Sequence, residues 1–307
     1  MATGFFKVAR LLGLMLLGLV ALQLSGCDMV LFNPKGQVGL EQRNLIILAT
    51  LLMLIVVVPV MIMTLLFSVH YRDSNKKARY TPDWSHSPAI EAVVWGVPLL
   101  IIIVLGVVTW RSTHALDPYR PLVADRPAIK VQVIATDWKW LFVYPALGIA
   151  SVNELAMPVD TPVDFRVTSD GAITSFFIPA LGGQIYAMAG MQTQLHLVAN
   201  HQGTYTGIAA NYNGPGFSDM HFKALALDQA GFDAWVTKVR GSQHRLDQAR
   251  YAQLAKPSVA HPVEHYAKVD DGLFQSLIDK YRGIDRSRDV ERRLGVPDDE
   301  SPQGSKE

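Results

Sequence analysis

Two long, uncharged apolar segments constrain the fold of this chain more than any other feature. The first covers residues 45–67 and the second covers residues 92–110. Each is long enough to cross about 30 Å of hydrocarbon, because an α-helix rises about 1.5 Å per residue. A buried helix of a soluble protein is the alternative for each segment, and the lengths disfavour it. We therefore predict two transmembrane helices, at 45–67 and 91–111.

The composition supports a membrane protein and excludes several other classes. Half of the residues are hydrophobic and only 18% are charged, whereas soluble domains carry about 25% charged residues. The 28 basic and 27 acidic residues leave a net charge of +1, too small to hold nucleic acid by bulk attraction. The apolar content excludes disorder over the whole length. With one cysteine, the chain cannot form an intramolecular disulfide or a multi-thiolate metal site.

The amino terminus has the features of a secretory signal. Basic residues precede an apolar stretch over 11–22, and small residues lead into Cys27. The sequence Leu-Ser-Gly-Cys at 24–27 resembles the lipobox of bacterial lipoproteins. That resemblance implies removal of a signal peptide over 1–26, acylation of Cys27 and a lipidated periplasmic segment over 27–44. An uncleaved signal anchor with an inert thiol is the alternative.

The lipid anchor also sets the orientation of the two helices. With Cys27 at the periplasmic face, the loop over 68–90 faces the cytoplasm, in agreement with the positive-inside rule. This loop carries the basic residues Arg72, Lys76, Lys77 and Arg79. Basic residues beyond the second helix weaken the charge signal, but long translocated domains tolerate them. We predict a multi-pass lipoprotein of the bacterial inner (cytoplasmic) membrane, in contact with membrane lipid, whose chain after about residue 115 is periplasmic.

Residues 112–228 have the pattern of a β-sandwich or barrel. Apolar and polar residues alternate along short stretches, which is typical of half-buried strands. The alternating stretches are 129–134, 163–167, 192–197 and 203–210. Turn-forming residues separate them, as at 169–171 and 213–216. The strand pattern is predicted to end near Leu227.

The remaining chain is predicted to be helical and then mobile. Apolar spacing indicates short amphipathic helices over 232–239 and 272–281. These helices belong to a C-terminal extension over 229–285. The last segment, 286–307, is dense in charge and poor in aromatic residues, which predicts a mobile tail.

The segment over 205–220 resembles the copper loop of subunit II of the heme-copper oxidases. In the copper-bearing members that loop reads Cys-x-Glu-x-Cys-x-x-x-His-x-x-Met, and another ligand histidine lies upstream. Of these ligands only Met220 is kept. The other positions hold residues that do not bind copper: Thr174 and Phe217 in place of the histidines, Ala209 and Asn213 in place of the thiolates, and Asn211 in place of the glutamate. The resemblance implies a chain with no copper centre of its own.

The wider sequence resembles the quinol-oxidising branch of that superfamily, the subunit II family of cytochrome bo-type ubiquinol oxidases. The resemblance covers nearly the whole chain and is weakest after residue 240. Besides the lipobox and the loop, the segments that carry it are 33–36, 82–87, 91–95, 137–140 and 184–191. It implies a membrane-anchored all-β fold, with a two-helix transmembrane hairpin followed by a periplasmic cupredoxin-like β-sandwich and a short helical C-terminal extension.

In that family electrons come from a membrane quinol, so no soluble cytochrome needs to dock. The resemblance implies a non-catalytic second subunit of a proton-pumping oxidase that reduces oxygen to water. Ubiquinol, b- and o-type heme and copper would bind the large subunit I, and further small membrane subunits would be partners. This chain would bind no cofactor, metal or nucleic acid. Two alternatives stay open: a copper-binding cytochrome c oxidase subunit II, and a free-standing lipoprotein binding module.

Glu91 is the candidate proton-inlet residue. It begins the second predicted helix, at the end that the topology places at the cytoplasmic face. A carboxylate there has a simple structural interpretation, because it complements the positive end of the helix dipole. The stretch 91–95 also resembles the family segment whose glutamate opens a proton channel into the large subunit. We therefore favour the inlet role, since a titratable oxygen at a membrane edge can relay protons.

Other candidate sites receive structural interpretations. The sequence from His261 to His265 matches the His-x-x-Glu-His pattern of a zinc peptidase family, but its neighbours lack a helical pattern, so a solvated connector is favoured. Trp138 and Trp140 are predicted to form a buried aromatic pair on one face of a strand. His196 is predicted to lie at the surface. The sequence has no nucleophile elbow, Walker loop or dinucleotide fingerprint, so no enzyme site is predicted within this chain.

Overall fold

A computed structural model describes residues 29–79, 81, 83–124 and 126–281. The predicted signal peptide, Cys27 and the predicted mobile tail lie outside these described residues. Two long helices come first, and a β-rich domain with short helices follows.

The two apolar helices are present, as expected. Helix α1 covers Gln37–His70 and helix α2 covers Pro88–Ala115. Both extend past the uncharged segments at each end, and α2 begins with a proline at its first turn, where the missing N–H costs nothing. Pro59 and Pro98 lie inside the helices. Both helices are long and apolar enough to cross a membrane.

The predicted β-sandwich is confirmed, with two main sheets. The six-stranded sheet has the order β12-β3-β2-β1-β5-β8, and the five-stranded sheet has the order β4-β10-β9-β6-β7. The strands are β1 Ile129–Thr136, β2 Lys139–Tyr144, β3 Ile149–Val152, β4 Glu154–Pro158, β5 Val163–Ser169, β6 Thr174–Phe177, β7 Gln184–Ala187, β8 Thr193–Leu197, β9 Gly203–Ala209, β10 His221–Leu227, β11 Arg245–Leu246, β12 Glu264–Tyr266 and β13 Lys268–Val269. The β1–β5 and β4–β10 pairs in these sheets are parallel.

Aromatic side chains fill the space between the two sheets. Phe176 and Phe222 of the five-stranded sheet stack with ring centroids 5.4 Å apart, and Trp140 of the opposite sheet meets both rings edge-on. Gly207 lies directly under Phe222, where a Cβ would overlap the ring. Truncating one of these rings to alanine typically costs about 3–5 kcal/mol, so this cluster contributes strongly to the packing of the two sheets.

The C-terminal extension is more integral to the domain than its sequence indicated. Its helices are α3 Gln229–Arg240, α4 Gln248–Leu254 and α5 Leu273–Lys280, so the two predicted helices are present. The expectation that strands end near Leu227 is wrong, because β12 pairs with β3 at the edge of the six-stranded sheet. Tyr251, Phe274 and Leu277 pack on the outer face of that sheet in a second core. Strand β2 is therefore buried on both faces.

Two residues lie elsewhere than predicted. His196 is only 5% exposed, not at the surface, because the chain segment that leaves α2 covers it and Pro118 accepts a hydrogen bond from its ring. Trp138 does not share a strand face with Trp140. It sits in the β1–β2 turn with a positive φ of 63° and is partly buried, while Trp140 is fully buried in the core.

The zinc-peptidase pattern at His261 to His265 is neither a helix nor a solvated connector. Residues 264–266 form strand β12, so the two histidines contact different partners. His261 Nε2 lies 3.1 Å from Glu264 Oε1, whereas His265 Nε2 lies 2.8 Å from Glu154 Oε1. Among the described residues, no group of three or more His, Cys, Asp or Glu side chains is arranged to hold a metal ion.

Candidate functional site

The degenerate copper positions come together at one end of the five-stranded sheet. Thr174 begins β6 and Ala209 ends β9, and these strands are hydrogen-bonded neighbours. The β9–β10 loop carries Asn211, Asn213 and the 3-10 turn Phe217–Asp219 before Met220. The backbone N–H of Ala209 donates to the carbonyl of Met220 at 3.0 Å, which closes the base of the loop.

Two hydrogen bonds join residues at the degenerate copper positions. The Asn213 amide donates to the sulfur of Met220 at 2.9 Å. The Thr174 hydroxyl donates to the carbonyl of Asn211 at 3.5 Å. Thr174 and Met220 are almost completely buried, and Asn213 Oδ1 is buried without a hydrogen-bond partner among the described residues.

This set of side chains does not fit a two-copper centre. Such a centre needs soft thiolate and imidazole donors, and these positions offer a methyl group, two carboxamides, a phenyl ring and a hydroxyl. The thioether of Met220 is the one soft donor in the set, and it already accepts the Asn213 amide. The mismatch lies in the donor chemistry of these side chains.

The Trp138 side chain packs against the β9–β10 loop and supports its backbone. The sequence pattern did not predict this role. The indole N–H of Trp138 donates to the carbonyl of Asn213 at 3.4 Å. Gly214 and Gly216 lie against the ring, and a Cβ at Gly216 would overlap it. The glycines in the loop were the available signal, because closely spaced glycines often mark the close approach of a backbone to a bulky group. The loop conformation thus depends on backbone contacts more than on the side chains that differ from the copper ligands.

Glu91 lies in the first turn of α2, at the end of the hairpin remote from the sandwich. Its backbone N–H donates to the Ser87 carbonyl at 3.0 Å, which fixes the start of the helix. Its carboxylate Oε1 lies 2.5 Å from Nδ1 of His86. Both side chains remain about half exposed, at 49% for Glu91 and 63% for His86. The structure therefore presents a hydrogen-bonded pair of titratable groups, and sequence reasoning had identified only the glutamate.

Glu154 anchors the C-terminal extension to the sandwich from strand β4. Its Oε1 accepts the Trp235 indole N–H at 2.9 Å and lies 2.8 Å from His265 Nε2. Burial alone raises the pKa of Glu154, but the hydrogen bonds from Trp235 and His265 outweigh it and hold the pKa below 4.5. A carboxylate that is ionised and bonded in this way fixes both α3 and β12 to strand β4 of the five-stranded sheet.

Two further buried groups anchor α4 and α5. The Lys139 ammonium is fully buried and donates to the carbonyls of Leu254 and Lys256 at 3.0 and 2.8 Å; burial lowers its pKa. The Asp170 carboxylate accepts from the hydroxyls of Tyr251 and Tyr281 and from Lys280. These three distances are 2.7, 2.8 and 2.7 Å respectively. Neither anchor has a sequence signal of its own.

Comparison with known proteins agrees with this geometry. Residues 145–226 match the family described as cytochrome c oxidase subunit II, periplasmic domain, and residues 240–283 match the family described as COX aromatic rich motif. The periplasmic domain of subunit II of cytochrome oxidase from Bradyrhizobium japonicum aligns with a TM-score of 0.36. That alignment has 23% identity and covers 39% of this chain and 96% of that one. The part of the sandwich over 145–226, with its loop, is therefore similar to the periplasmic domain of cytochrome c oxidase subunit II.

Relatives that match nearly the whole chain show to which branch of the oxidase subunits it belongs. The chain is 56% identical over 293 residues to cytochrome bo(3) ubiquinol oxidase subunit 2 of Pseudomonas putida, which covers 95% of this chain and 93% of that protein. It is 52% identical over 277 residues to ubiquinol oxidase subunit 2 of Acetobacter aceti, covering 90% and 89%. The chain belongs to the ubiquinol oxidase subunit 2 family. The resemblance drawn from the motifs is confirmed.

Proposed function

We propose that this chain is the second subunit of a membrane complex that oxidises ubiquinol, reduces oxygen to water and translocates protons. One observation carries the proposal: relatives at 52–56% identity over nearly the whole chain are ubiquinol oxidase subunits. The donor chemistry at the loop agrees, since an electron route through copper in this chain would need ligands that Ala209, Asn213 and Phe217 do not supply.

The partners of the chain follow from the same family membership. The large subunit I would hold ubiquinol, b- and o-type heme and copper, and further small membrane subunits would complete the complex. This chain would bind none of these cofactors. Its contribution would be to brace the large subunit through α1 and α2, whose apolar side chains are exposed in the isolated chain, and to shape the proton inlet at Glu91.

The same proposal places the chain in the bacterial inner membrane with its sandwich in the periplasm. The loop between α1 and α2 then faces the cytoplasm, and its basic residues agree with that side. Glu91 and His86 lie at this cytoplasmic end, where protons are taken up. Cys27 would carry the lipid at the opposite face.

Purification tests this function directly. We expect a tagged chain, extracted in mild detergent, to bring with it a large multi-span subunit, the spectra of b- and o-type heme, and oxygen consumption driven by ubiquinol. Oxidation of reduced cytochrome c together with stoichiometric copper in this chain would instead show the copper-binding alternative. A chain that purifies alone and without heme would show a free-standing lipoprotein.

A further inference from the structure

A cavity of about 150 Å³ lies where the two helices meet the sandwich. One wall is formed by the first turns of α1 and a second wall by the segment that follows α2. The third wall comes from the sandwich, at Gln184, Leu195 and His196. None of the degenerate copper positions lines this cavity, and neither does Glu91.

Hydrogen bonds to the sandwich hold the helical walls in place. The backbone N–H groups of Lys35 and Gly39 donate to the carbonyls of Ala180 and Leu181 at 2.6 and 2.9 Å. On the other side, His196 Nδ1 lies 3.1 Å from the carbonyl of Pro118. The cavity is therefore preformed, which lowers the ordering cost of binding a ligand there.

Two opposite charges line the cavity without neutralising each other. Glu41 and Arg120 both belong to its wall. Within the described ranges neither forms an ion pair, and the guanidinium of Arg120 reaches only the carbonyl of His114, at 3.5 Å. Asp117, also in the wall, already accepts the N–H of Tyr119 at 2.9 Å. A ligand with separate positive and negative groups would satisfy Glu41 and Arg120 together.

The depth of the cavity matches the headgroup layer of a membrane. Glu41 lies about one helical turn, roughly 5–6 Å, beyond the apolar segment that begins at Leu45. Ala115 lies about 7 Å beyond Trp110, where the apolar part of α2 ends. The headgroup layer extends about 5–8 Å beyond the hydrocarbon on each side. Both helical walls thus reach the cavity at the level of phospholipid headgroups.

We propose that this cavity binds the headgroup of a zwitterionic phospholipid, phosphatidylethanolamine. The ammonium would lie at Glu41 and the phosphate at Arg120. The acyl chains would lie below, along the exposed apolar side chains of α1 and α2. An anionic lipid such as phosphatidylglycerol offers the phosphate but no cation for Glu41, so the cavity selects the zwitterion. The lipid would join the helical hairpin to the sandwich at a point where the protein's own contacts leave a gap.

Lipid retention by the purified complex tests the proposal. The complex is placed in nanodiscs with equal amounts of phosphatidylethanolamine and phosphatidylglycerol and re-extracted, and the lipids retained are counted by native mass spectrometry. We expect the wild type to retain phosphatidylethanolamine over phosphatidylglycerol by about tenfold, the factor given by about 1.4 kcal/mol. Glu41→Gln should abolish the preference, and Arg120→Gln should reduce retention of both lipids.

Matched controls are Asp73→Asn and Arg126→Gln, which change an exposed carboxylate and an exposed guanidinium outside the cavity. Both controls should retain lipid as the wild type does. Retention that is unchanged in both Glu41→Gln and Arg120→Gln would overturn the proposal.

A density map of the wild-type complex in the same nanodiscs supplies a test that needs no variant. A headgroup between Glu41 and Arg120 would support the proposal. Water alone, or a side chain of the large subunit filling the cavity, would refute it.

Discussion

At the scale of single residues, Glu91 and its partner His86 form the only proton-relay candidate that the motifs and the described structure share. The carboxylate is half exposed and held 2.5 Å from the imidazole. A carboxylate that merely complements the helix dipole needs no such partner. The pair is consistent with the proposed inlet, in which proton uptake at Glu91 would precede transfer into the large subunit.

We expect Glu91→Ala to slow ubiquinol-driven oxygen consumption by about tenfold, with heme content and assembly unchanged. The effect is smaller than the 10²–10⁴ of a group at the reacting atoms, because water can still deliver protons slowly. Glu91→Asp should recover part of the rate. Asp73→Asn, which alters an exposed carboxylate in the loop between α1 and α2, is the matched control. Full turnover in a well-assembled Glu91→Ala complex would restore the helix-dipole interpretation.

The lowered pKa of Glu154, another single residue, leads us to expect that the stability of the folded domain depends on pH. Because its pKa is lower in the folded protein than the usual 4.5, its stabilisation is complete above about pH 4.5 and is lost as the pH falls through the folded pKa. Glu154→Gln should therefore lower the unfolding free energy of the periplasmic fragment 115–285 by about 1–3 kcal/mol at pH 7. The stability of the variant should change less than that of the wild type between pH 5 and pH 3.

Urea unfolding at several pH values measures this effect. Asp233→Asn, at an exposed carboxylate on α3 near Trp235, is the control and should unfold like the wild type. Parallel pH profiles for wild type and Glu154→Gln would contradict the prediction.

At the scale of elements, backbone contacts hold the β9–β10 loop in place, while its side chains lack the ligands of a copper loop. The N–H of Ala209 bonds to Met220, the N–H of Ala210 bonds to Ser175, and Trp138 supports the loop at the Asn213 carbonyl. These contacts use backbone atoms, so replacing the side chains need not change the loop. The difference from a copper loop that the sequence shows thus lies in the side chains.

Restoring the ligand types should create a copper site on fragment 115–285. The combined substitutions are Thr174→His, Ala209→Cys, Asn211→Glu, Asn213→Cys and Phe217→His, with Met220 kept. We expect stoichiometric copper and the purple absorption of a copper–thiolate centre, which the unmodified fragment should lack when copper is supplied. The same set without Ala209→Cys is the control and should not turn purple. Stoichiometric copper in the unmodified fragment would overturn the quinol-oxidase proposal.

The C-terminal extension is an element held by a few buried polar groups, and Asp170 is one with three side-chain partners. Its carboxylate is 2% exposed and accepts from Tyr251, Tyr281 and Lys280. Burial, followed by the charge of Asp170, raises the pKa of Tyr251 far above its usual value, so the phenol remains a donor. Loss of the acceptor would leave buried hydroxyls unpaired.

We expect Asp170→Ala to lower the unfolding free energy of fragment 115–285 by about 2–4 kcal/mol, because each stranded buried donor costs about 1–3 kcal/mol. Limited proteolysis should then cut within the extension before the sandwich. Asp271→Ala, at an exposed aspartate on the same extension, should leave stability and the cleavage pattern unchanged. Equal stability of the two variants would show that the extension does not depend on this anchor.

At the scale of the whole molecule, the membrane attachment combines two helices with the proposed lipid on Cys27. Mass spectrometry of the mature chain should find an acylated Cys27 as its first residue. Cys27→Ser should block acylation yet leave the chain in the membrane, because α1 and α2 together bury far more apolar surface than acyl chains do. An unmodified terminus at Met1 or Ala2 would refute the lipid anchor, and release of Cys27→Ser into the soluble fraction would refute the role of the helices.

The sequence by itself determined the class of this protein and the chemistry of its loop. The apolar lengths of 45–67 and 92–110 predict helices without reference to any neighbour, since a membrane helix satisfies its own backbone. The thiolates and histidines missing from the loop positions do not fit a two-copper centre there, because ligand type is a property of each side chain. Alternating strands with turn residues between them likewise indicated a β-sandwich or barrel from local pattern alone, and the family resemblance favoured the sandwich.

Only the tertiary structure decided which polar residues are buried and what they contact. The polar neighbours of His196 in the sequence predict a surface residue. In the structure it is covered by the segment around Pro118, 78 residues earlier in the chain. Glu154 contacts His265, which lies 111 residues later in the chain. Strand β12 pairs with β3, although many residues and several other strands separate the two in the sequence. Such pairings depend on where distant segments meet, and a local pattern of apolar and polar residues contains no information about that meeting. The cavity between Glu41 and Arg120 arises in the same way, from three segments that are separate in the sequence.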